Sequence, residues 1–244
     1  MDTLGELLAR DRRSERTACR VGADTRQYDY DRFLTTAWQS GNYLRHLGVR
    51  EGVVVGVPDD PIPEALLSAL GAGLLGATTW VDPPLGADLR AIVAPAGEIT
   101  AYGTRPGRTR VAYGGDVDDP SIERFEAGVW SENPTVPPER PGPDTDILTD
   151  GTRTYAQGDL LGAAGSVADD AGLDAGVDVV LRASLADPGT MVGVLAALFA
   201  GATLVFPDAG AVGTAATGQS GVTGDVAIGA GPESVSIDPG HVLP

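Results

Sequence analysis

The chain has 244 residues, 42% of them apolar, enough for one large domain or two smaller ones with a buried core. Its formal charge of −17 argues against nucleic acid or an anionic membrane as partner, because phosphate-rich surfaces are held by clustered cations. The one cysteine, Cys19, excludes an internal disulfide and a cysteine-based metal site, and it suits a reducing cytoplasm.

All 17 basic residues are arginine, and aspartate outnumbers glutamate by 24 to 10. This lysine-free, acidic composition resembles that of cytosolic proteins from halophilic archaea, which stay soluble in molar salt. An acidic protein from a high-GC bacterium is the alternative. The opening MDTLGELLARDRR carries acidic residues where a secretion signal needs a basic and then apolar start, so a cytoplasmic protein is expected.

Thr3 is placed to cap a short helix through Arg10, with Leu4, Leu7 and Leu8 on one face. Strands at 17–21 and 26–30 then form a small hairpin. Asp31 is expected to cap a helix to Leu47, in which Leu34, Ala37, Gly41, Leu44 and Leu47 fall at helical spacing and Gly48 supplies the stop. Val53 to Val57 is a β-branched run with one glycine, the pattern of a strand covered on both faces. Pro63 opens a helix over 62–75, and 78–81 follows as the next strand, which predicts a right-handed crossover with parallel pairing. Asp88 to Ala94 reads as a helix and Glu98 to Tyr102 as a strand. Between Gly103 and Pro143 the periodicity fades.

Much of this pattern recurs. The stretch from Gly48 to Pro84 is echoed from Gly172 to Asp208, and Thr25, Arg26, Tyr28, Leu34 and Ala37 are answered by Thr152, Arg153, Tyr155, Leu161 and Ala164, a separation of about 125 residues. The second copy is expected as helix 159–171, strand 177–181, helix 190–200 and strand 203–206. Beyond Ala209, the apolar pairs at 226–228 and 235–237 read either as edge strands or as a weakly ordered chain end. The expected organisation is a first α/β subdomain over 1–132, a Pro-rich linker over 133–144 and a second α/β subdomain over 145–244. The uncharged run from Pro188 to Pro207 is long enough to span a bilayer, but it holds several glycines and reads as a buried helix running into a buried strand, with no membrane partner.

Isolated candidate residues carry bland readings. His46 suits a helix C-terminus, and two distant histidines with one cysteine make no metal cluster. Asp116, Asp118 and Asp119 lack the spacing of a calcium loop and read as a solvated acidic loop. Ser220 in GQSG lacks the strand-turn-helix context of a nucleophile elbow. Trp38, Trp80 and Trp130 read as packing residues.

Written out, the first unit resembles the N-terminal part of the adenylate-forming enzymes, which include acyl-CoA synthetases, peptide-synthetase adenylation domains and luciferases. Tyr28, the Leu47-Gly48-Val49 turn, the valine strand 53–57, Pro58, Glu64, Gly76, Ala77, Asp82 and Pro83 hold the places of the family's usual line. The resemblance implies an α/β fold of two repeated subdomains, each a mostly parallel sheet flanked by helices, with a ligand cleft between them. It also implies a phosphate loop rich in Ser, Thr and Gly that ends in Pro-Lys-Gly. Here that stretch is ILTDGTRTYAQGDLL: Thr149, Gly151, Thr152 and Arg153 are its remnant phosphate contacts, Asp150 stands where Ser is usual, and the rest is missing. A carboxylate at that point repels phosphate.

The family's Pro-Leu-Phe-His segment corresponds to Ala183, Ser184, Leu185 and Ala186, and its Tyr-Gly-x-Thr-Glu motif is not found. Thr223, Gly224 and Asp225 spell its ribose-binding triplet, and chance is the simpler reading in so Gly- and Thr-rich a stretch. With no lysine, the final catalytic role cannot be filled from within the chain. The resemblance therefore implies a catalytically defective relative with a binding or regulatory role, no catalytic or metal residues, no bound ATP or AMP expected, and association with itself or with an intact synthetase. The alternatives are an active acyl-adenylating component completed by a partner chain, and a structural protein without a small-molecule site.

Overall fold

The computed structural model describes residues 1–22, 26–207 and 222–243. In chain order it contains α1 (Leu4–Leu7), β1 (Thr17–Val21), β2 (Arg26–Asp29), α2 (Tyr30–His46), β3 (Val54–Val57), α3 (Pro63–Leu74), β4 (Thr78–Val81), β5 (Ala91–Pro95), β6 (Thr109–Tyr113), β7 (Ile122–Arg124), α4 (Phe125–Trp130), β8 (Asp146–Thr149), β9 (Thr154–Ala156), α5 (Gln157–Asp170), β10 (Asp178–Leu181), α6 (Pro188–Ala200), β11 (Thr203–Phe206), β12 (Val226–Ile228) and β13 (Val235–Ile237). The strands form two sheets, ordered β13-β12-β10-β11-β1-β2 and β7-β6-β5-β3-β4-β8-β9. Pairing is parallel throughout except for the hairpins β1-β2 and β8-β9. This is the expected α/β architecture of mostly parallel sheets flanked by helices.

The chain forms two compact units, one of Met1–Leu34 with Gln157–Pro244 and the other of Thr35–Ala156. That division differs from 1–132, 133–144 and 145–244, and the reason lies in strand pairing. The hairpin β1-β2 adds in parallel to β11, with Cys19 opposite Leu204 and Val21 opposite Phe206. The hairpin β8-β9 adds in parallel to β4, with Thr79 opposite Leu148.

In the unit of residues 35–156, every residue of α3 is buried, and it packs on β3, β4 and β5. Helix α2 crosses α3 at two glycines. A Cβ on Gly71 would lie 2.7 Å from the Gly41 nitrogen and 2.9 Å from the Ser40 carbonyl carbon, both backbone atoms. The opposite sheet face carries the cluster of Ala87, Leu89, Ile92, Ala94, Ile99, Tyr102, Ala112 and Ile122. Residues 132–139, most of them within the expected linker 133–144, are bound along α2. Gln39 donates to the Glu132 carbonyl at 2.9 Å, Asn42 donates to the Thr135 carbonyl at 2.8 Å, Arg45 pairs with Glu139 at 2.7 Å, and Pro137 is buried.

Three local expectations are corrected. The segment read as a helix over 88–94 contributes β5, whose Ala91, Ile92, Val93 and Ala94 are fully buried between β3 and β6, so burial on both faces overrides alanine's helix preference. The segment read as a strand over 98–102 is a 3-10 turn at Ile99–Tyr102, closed by the Glu98 amide on the Pro95 carbonyl. Asp31 lies inside the first turn of α2, where Asp29 accepts from the Arg32 amide at 2.7 Å and acts as the cap.

In the other unit, α6 packs against α5, β11 and β12 and is capped at both ends. The Asp187 carboxylate accepts from the Gly189 amide at 2.9 Å. Gly201 takes the left-handed conformation at φ 75°, and Arg12 donates to the Leu198 and Phe199 carbonyls at 2.7 and 2.8 Å. The uncharged run 188–207 is thereby divided into helix and strand, and among the described residues no helix is long and apolar enough to cross a membrane. Both apolar pairs near the C-terminus are strands; β12 lies between β10 and β13, and β13 forms the edge.

The Gly41/Gly71 crossing fixes the distance between α2 and α3, since backbone atoms cannot rotate away from an added methyl group. Gly71→Ala is expected to lower stability by about 1–3 kcal/mol, whereas Gly97→Ala, which meets nothing within 4 Å, changes it by less than about 0.5 kcal/mol. Urea unfolding of the two variants beside the parent checks both.

Candidate functional site

Thr149, Gly151, Thr152 and Arg153, the residues read from the sequence as remnant phosphate contacts, lie together at the turn between β8 and β9, which spans Asp150–Arg153. The sequence D-G-T at the end of a buried strand favours a tight turn: Asp side chains hydrogen-bond the backbone two residues on, and Gly151 adopts φ 87°. Gly151 is also fixed from outside, because a Cβ there would lie 2.4 Å from the Trp80 ring of β4.

Every backbone amide of the turn donates within the turn. The Asp150 amide reaches the Arg153 carbonyl at 3.3 Å and the Gly151 amide reaches Thr149 Oγ1 at 3.0 Å. The Thr152 and Arg153 amides converge on Asp150 Oδ1 at 2.7 and 2.8 Å. The Thr152 hydroxyl donates to the same oxygen at 2.7 Å, and the Tyr155 hydroxyl donates to Oδ2 at 2.9 Å. Thr149 spends its own hydroxyl proton on the Arg153 carbonyl at 2.6 Å. The Thr152 hydroxyl, then the Arg153 amide, hold the Asp150 carboxyl well below the usual carboxylate range.

Converging amides of this kind form a concavity suited to an anion. Here the anion is the chain's own carboxylate. Asp150 is legible in the sequence as a charge that repels phosphate. That it satisfies the donors as well depends on Tyr155 and Thr152 pointing back at it, for which the only sequence signal is the Asx-turn tendency of D-G-T.

The other positions aligned with the family are engaged elsewhere. Asp225 accepts from the Asp178 amide at 2.9 Å at the start of β10, so the triplet Thr223-Gly224-Asp225 sits at the amino end of its sheet. Ligands of open α/β sheets bind at the carboxyl ends. Ala183 donates to the Ile228 carbonyl, the Ser184 hydroxyl accepts from the Ala186 amide at 3.1 Å, and Leu185 is buried, so the segment aligned with the acyl pocket is a closed turn. Asp116 pairs with Arg124, while Asp119 pairs with Arg110 at 2.9 Å and accepts from Ser121, so that acidic loop is held by arginines. Ser220 lies outside the described residues.

A cavity of about 360 Å³ opens near the amino ends of β1, β10 and β11, lined by Thr17, Arg20, Gln27, Asp178 and Thr203. Its cation is committed: Arg20 pairs with Asp178 at 2.6 Å, and Thr203 donates to the Thr17 carbonyl at 3.1 Å.

No protein-family model and no curated protein matches the chain. Solved structures do. The chain is similar to the anthranilate CoA ligase AuaEII in complex with anthranoyl-AMP, at 19% identity and a TM-score of 0.70 over 83% of this chain and 44% of that one. It is similar to apo MatB from Rhodopseudomonas palustris, at 16% identity and a TM-score of 0.67 over 84% of this chain and 44% of that one. A benzoate CoA ligase from Burkholderia xenovorans gives 18% identity and a TM-score of 0.69 over 84% of this chain and 45% of that one. The chain thus spans less than half the length of each of these ligases. At these identities the likeness establishes the fold: two mostly parallel, helix-flanked sheets arranged as in the N-terminal domain of adenylate-forming acyl- and aryl-CoA ligases.

Because the Asp150 pKa is depressed in the folded protein, its ionised form stabilises the fold above the unfolded value of about 3.9, and that contribution is lost as pH falls toward the folded value. Asp150→Ala is expected to lower the melting temperature at pH 7 by about 2–4 °C. The gap between variant and parent should narrow on acidification to about pH 3, which thermal melts across that range measure.

Proposed function

We propose that this chain is a catalytically defective relative of the adenylate-forming acyl-CoA synthetases, retaining their N-terminal frame for a binding or regulatory role in the cytoplasm. One observation carries the reading: all four amides of the turn where the family grips triphosphate are consumed internally, two of them by the carboxylate of Asp150. Transfer of an adenylyl group draws on donors and cations aimed at the phosphates. Here an external phosphate would have to displace a carboxylate bound by four hydrogen bonds, and it would meet that negative charge while doing so. The absence of lysine from the whole chain supports the same reading, since only Arg153 offers a cation at the turn.

The proposed partners are a second copy of the chain or an intact synthetase, with no nucleic acid, in keeping with the charge of −17. Titration calorimetry with Mg-ATP and with AMP, in low and in molar salt, is expected to give no binding heat at ligand concentrations up to about 1 mM, where an ordinary substrate site saturates. Pyrophosphate exchange into ATP by the purified chain is expected to stay at background. Micromolar ATP affinity would favour an active component completed by a partner chain, with Thr149, Gly151, Thr152 and Arg153 as its phosphate contacts. Exchange by the chain alone would overturn the proposal.

A further inference from the structure

Neither repeat completes its own sheet. The first repeat contributes β3 to β7 to one sheet and sends its leading hairpin β1-β2 to the other. The second repeat contributes β10 to β13 and sends β8-β9 back. The exchange is reciprocal in register as well as in order. In each case the first strand of the hairpin runs parallel to the strand that follows the buried helix, β1 along β11 and β8 along β4. Each hairpin then ends its sheet with an antiparallel partner.

Cross-repeat bonds anchor both hairpins. Around β1, Gly22 donates to the Phe206 carbonyl at 2.8 Å, the Tyr30 hydroxyl donates to the Ala202 carbonyl at 2.8 Å, and Arg20 pairs with Asp178 at 2.6 Å. The Leu4 amide donates to the buried Gln157 side chain at 2.8 Å, which ties the N-terminal residues to the second repeat as well. Around β8, the Thr78 hydroxyl donates to the Asp146 carbonyl at 3.0 Å, and Trp80 closes on Gly151.

We infer that the pairing of β1 with β11 and of β8 with β4 makes the two halves of the chain obligate partners, which remain one particle when the backbone between them is cut. The connection is dispensable because each compact unit draws on both sides of the cut, residues 1–34 with 157–244 and residues 35–142 with 143–156. Release of one half would bare two parallel strand edges at once, together with the buried Leu4, Leu7, Ala18, Cys19, Ile147 and Leu148. The inference rests on strand pairing and is independent of whether the turn at Asp150 binds nucleotide.

A protease recognition sequence inserted in the full chain between the exposed Gly142 and Pro143 tests it. After cutting under native conditions, both fragments are expected to elute together from size exclusion at about 1 µM, a concentration that dissociates weak complexes. They should separate in urea and reassemble on dilution. Elution as two species under native conditions would overturn the inference. Hydrogen exchange on the uncut parent gives a second reading that does not depend on the insertion. Residues 17–21 and 203–206 should share one opening free energy and one urea dependence, as should 78–81 and 146–149. Opening of either hairpin at least tenfold more often than the strand it adds to would overturn the inference equally.

Discussion

The structure depends on the parallel ladders by which the two hairpins join their sheets, β1 along β11 and β8 along β4. A strand, helix, strand unit buries its helix face and leaves an edge of unpaired amides and carbonyls next to the second strand. β4 and β11 are in that position, with Thr79 and Ala202 to Phe206 otherwise running along an open edge. Parallel strands buried on both faces cannot leave such an edge to water in the way a twisted antiparallel edge does. The exchanged hairpin meets the edge with a parallel strand and then turns back, so the sheet ends on an antiparallel strand with partly exposed residues, Arg26 and Gln27 on one side and Thr154 on the other. Without the exchanged hairpins the sheets would end at β4 and β11; with them each ends on an antiparallel strand.

Strand and helix positions were legible wherever residue pattern and burial coincide. Val54 to Val57 and the largely buried helices α3 and α6 follow from the local residue pattern and are found in place. The expected helix over 88–94 failed because Ala91 and Ala94 favour a helix in isolation and are strand residues only when Val55 and Thr109 flank Ala91. Within the expected linker, Pro137 and Glu139 read as tether residues; in the structure Gly41 leaves room on α2 for the proline ring and Arg45 takes the glutamate. The hairpin exchange was beyond reach of the sequence, since nothing in β1 or β8 names the sheet it joins. At the candidate site the sequence located the turn and its misplaced charge. The inward-facing Thr152 and Tyr155, which make Asp150 an occupant rather than only a repellent, needed coordinates.

These two features meet in one hairpin. β8 and β9 carry the turn with the occupied amides, and they also complete the sheet that holds β3, β4 and β5. Strand addition depends on the backbone pairing of Leu148 and Thr149 with β4, whereas the donors of the turn are the Thr149 hydroxyl and the amides of residues 150–153. The two demands are encoded in different atoms, so the turn is free to shorten and fill its donors with Asp150 while the ladder stays intact. A shortened turn even favours the ladder: a four-residue connection closed by six internal hydrogen bonds loses less chain entropy on folding than a long mobile loop would. A frame held by the ladder therefore accommodates a turn whose donors are satisfied internally. Gly151 packs on Trp80 in the left-handed conformation, which serves the hairpin, while Thr152 and Tyr155 hydrogen-bond inward to Asp150.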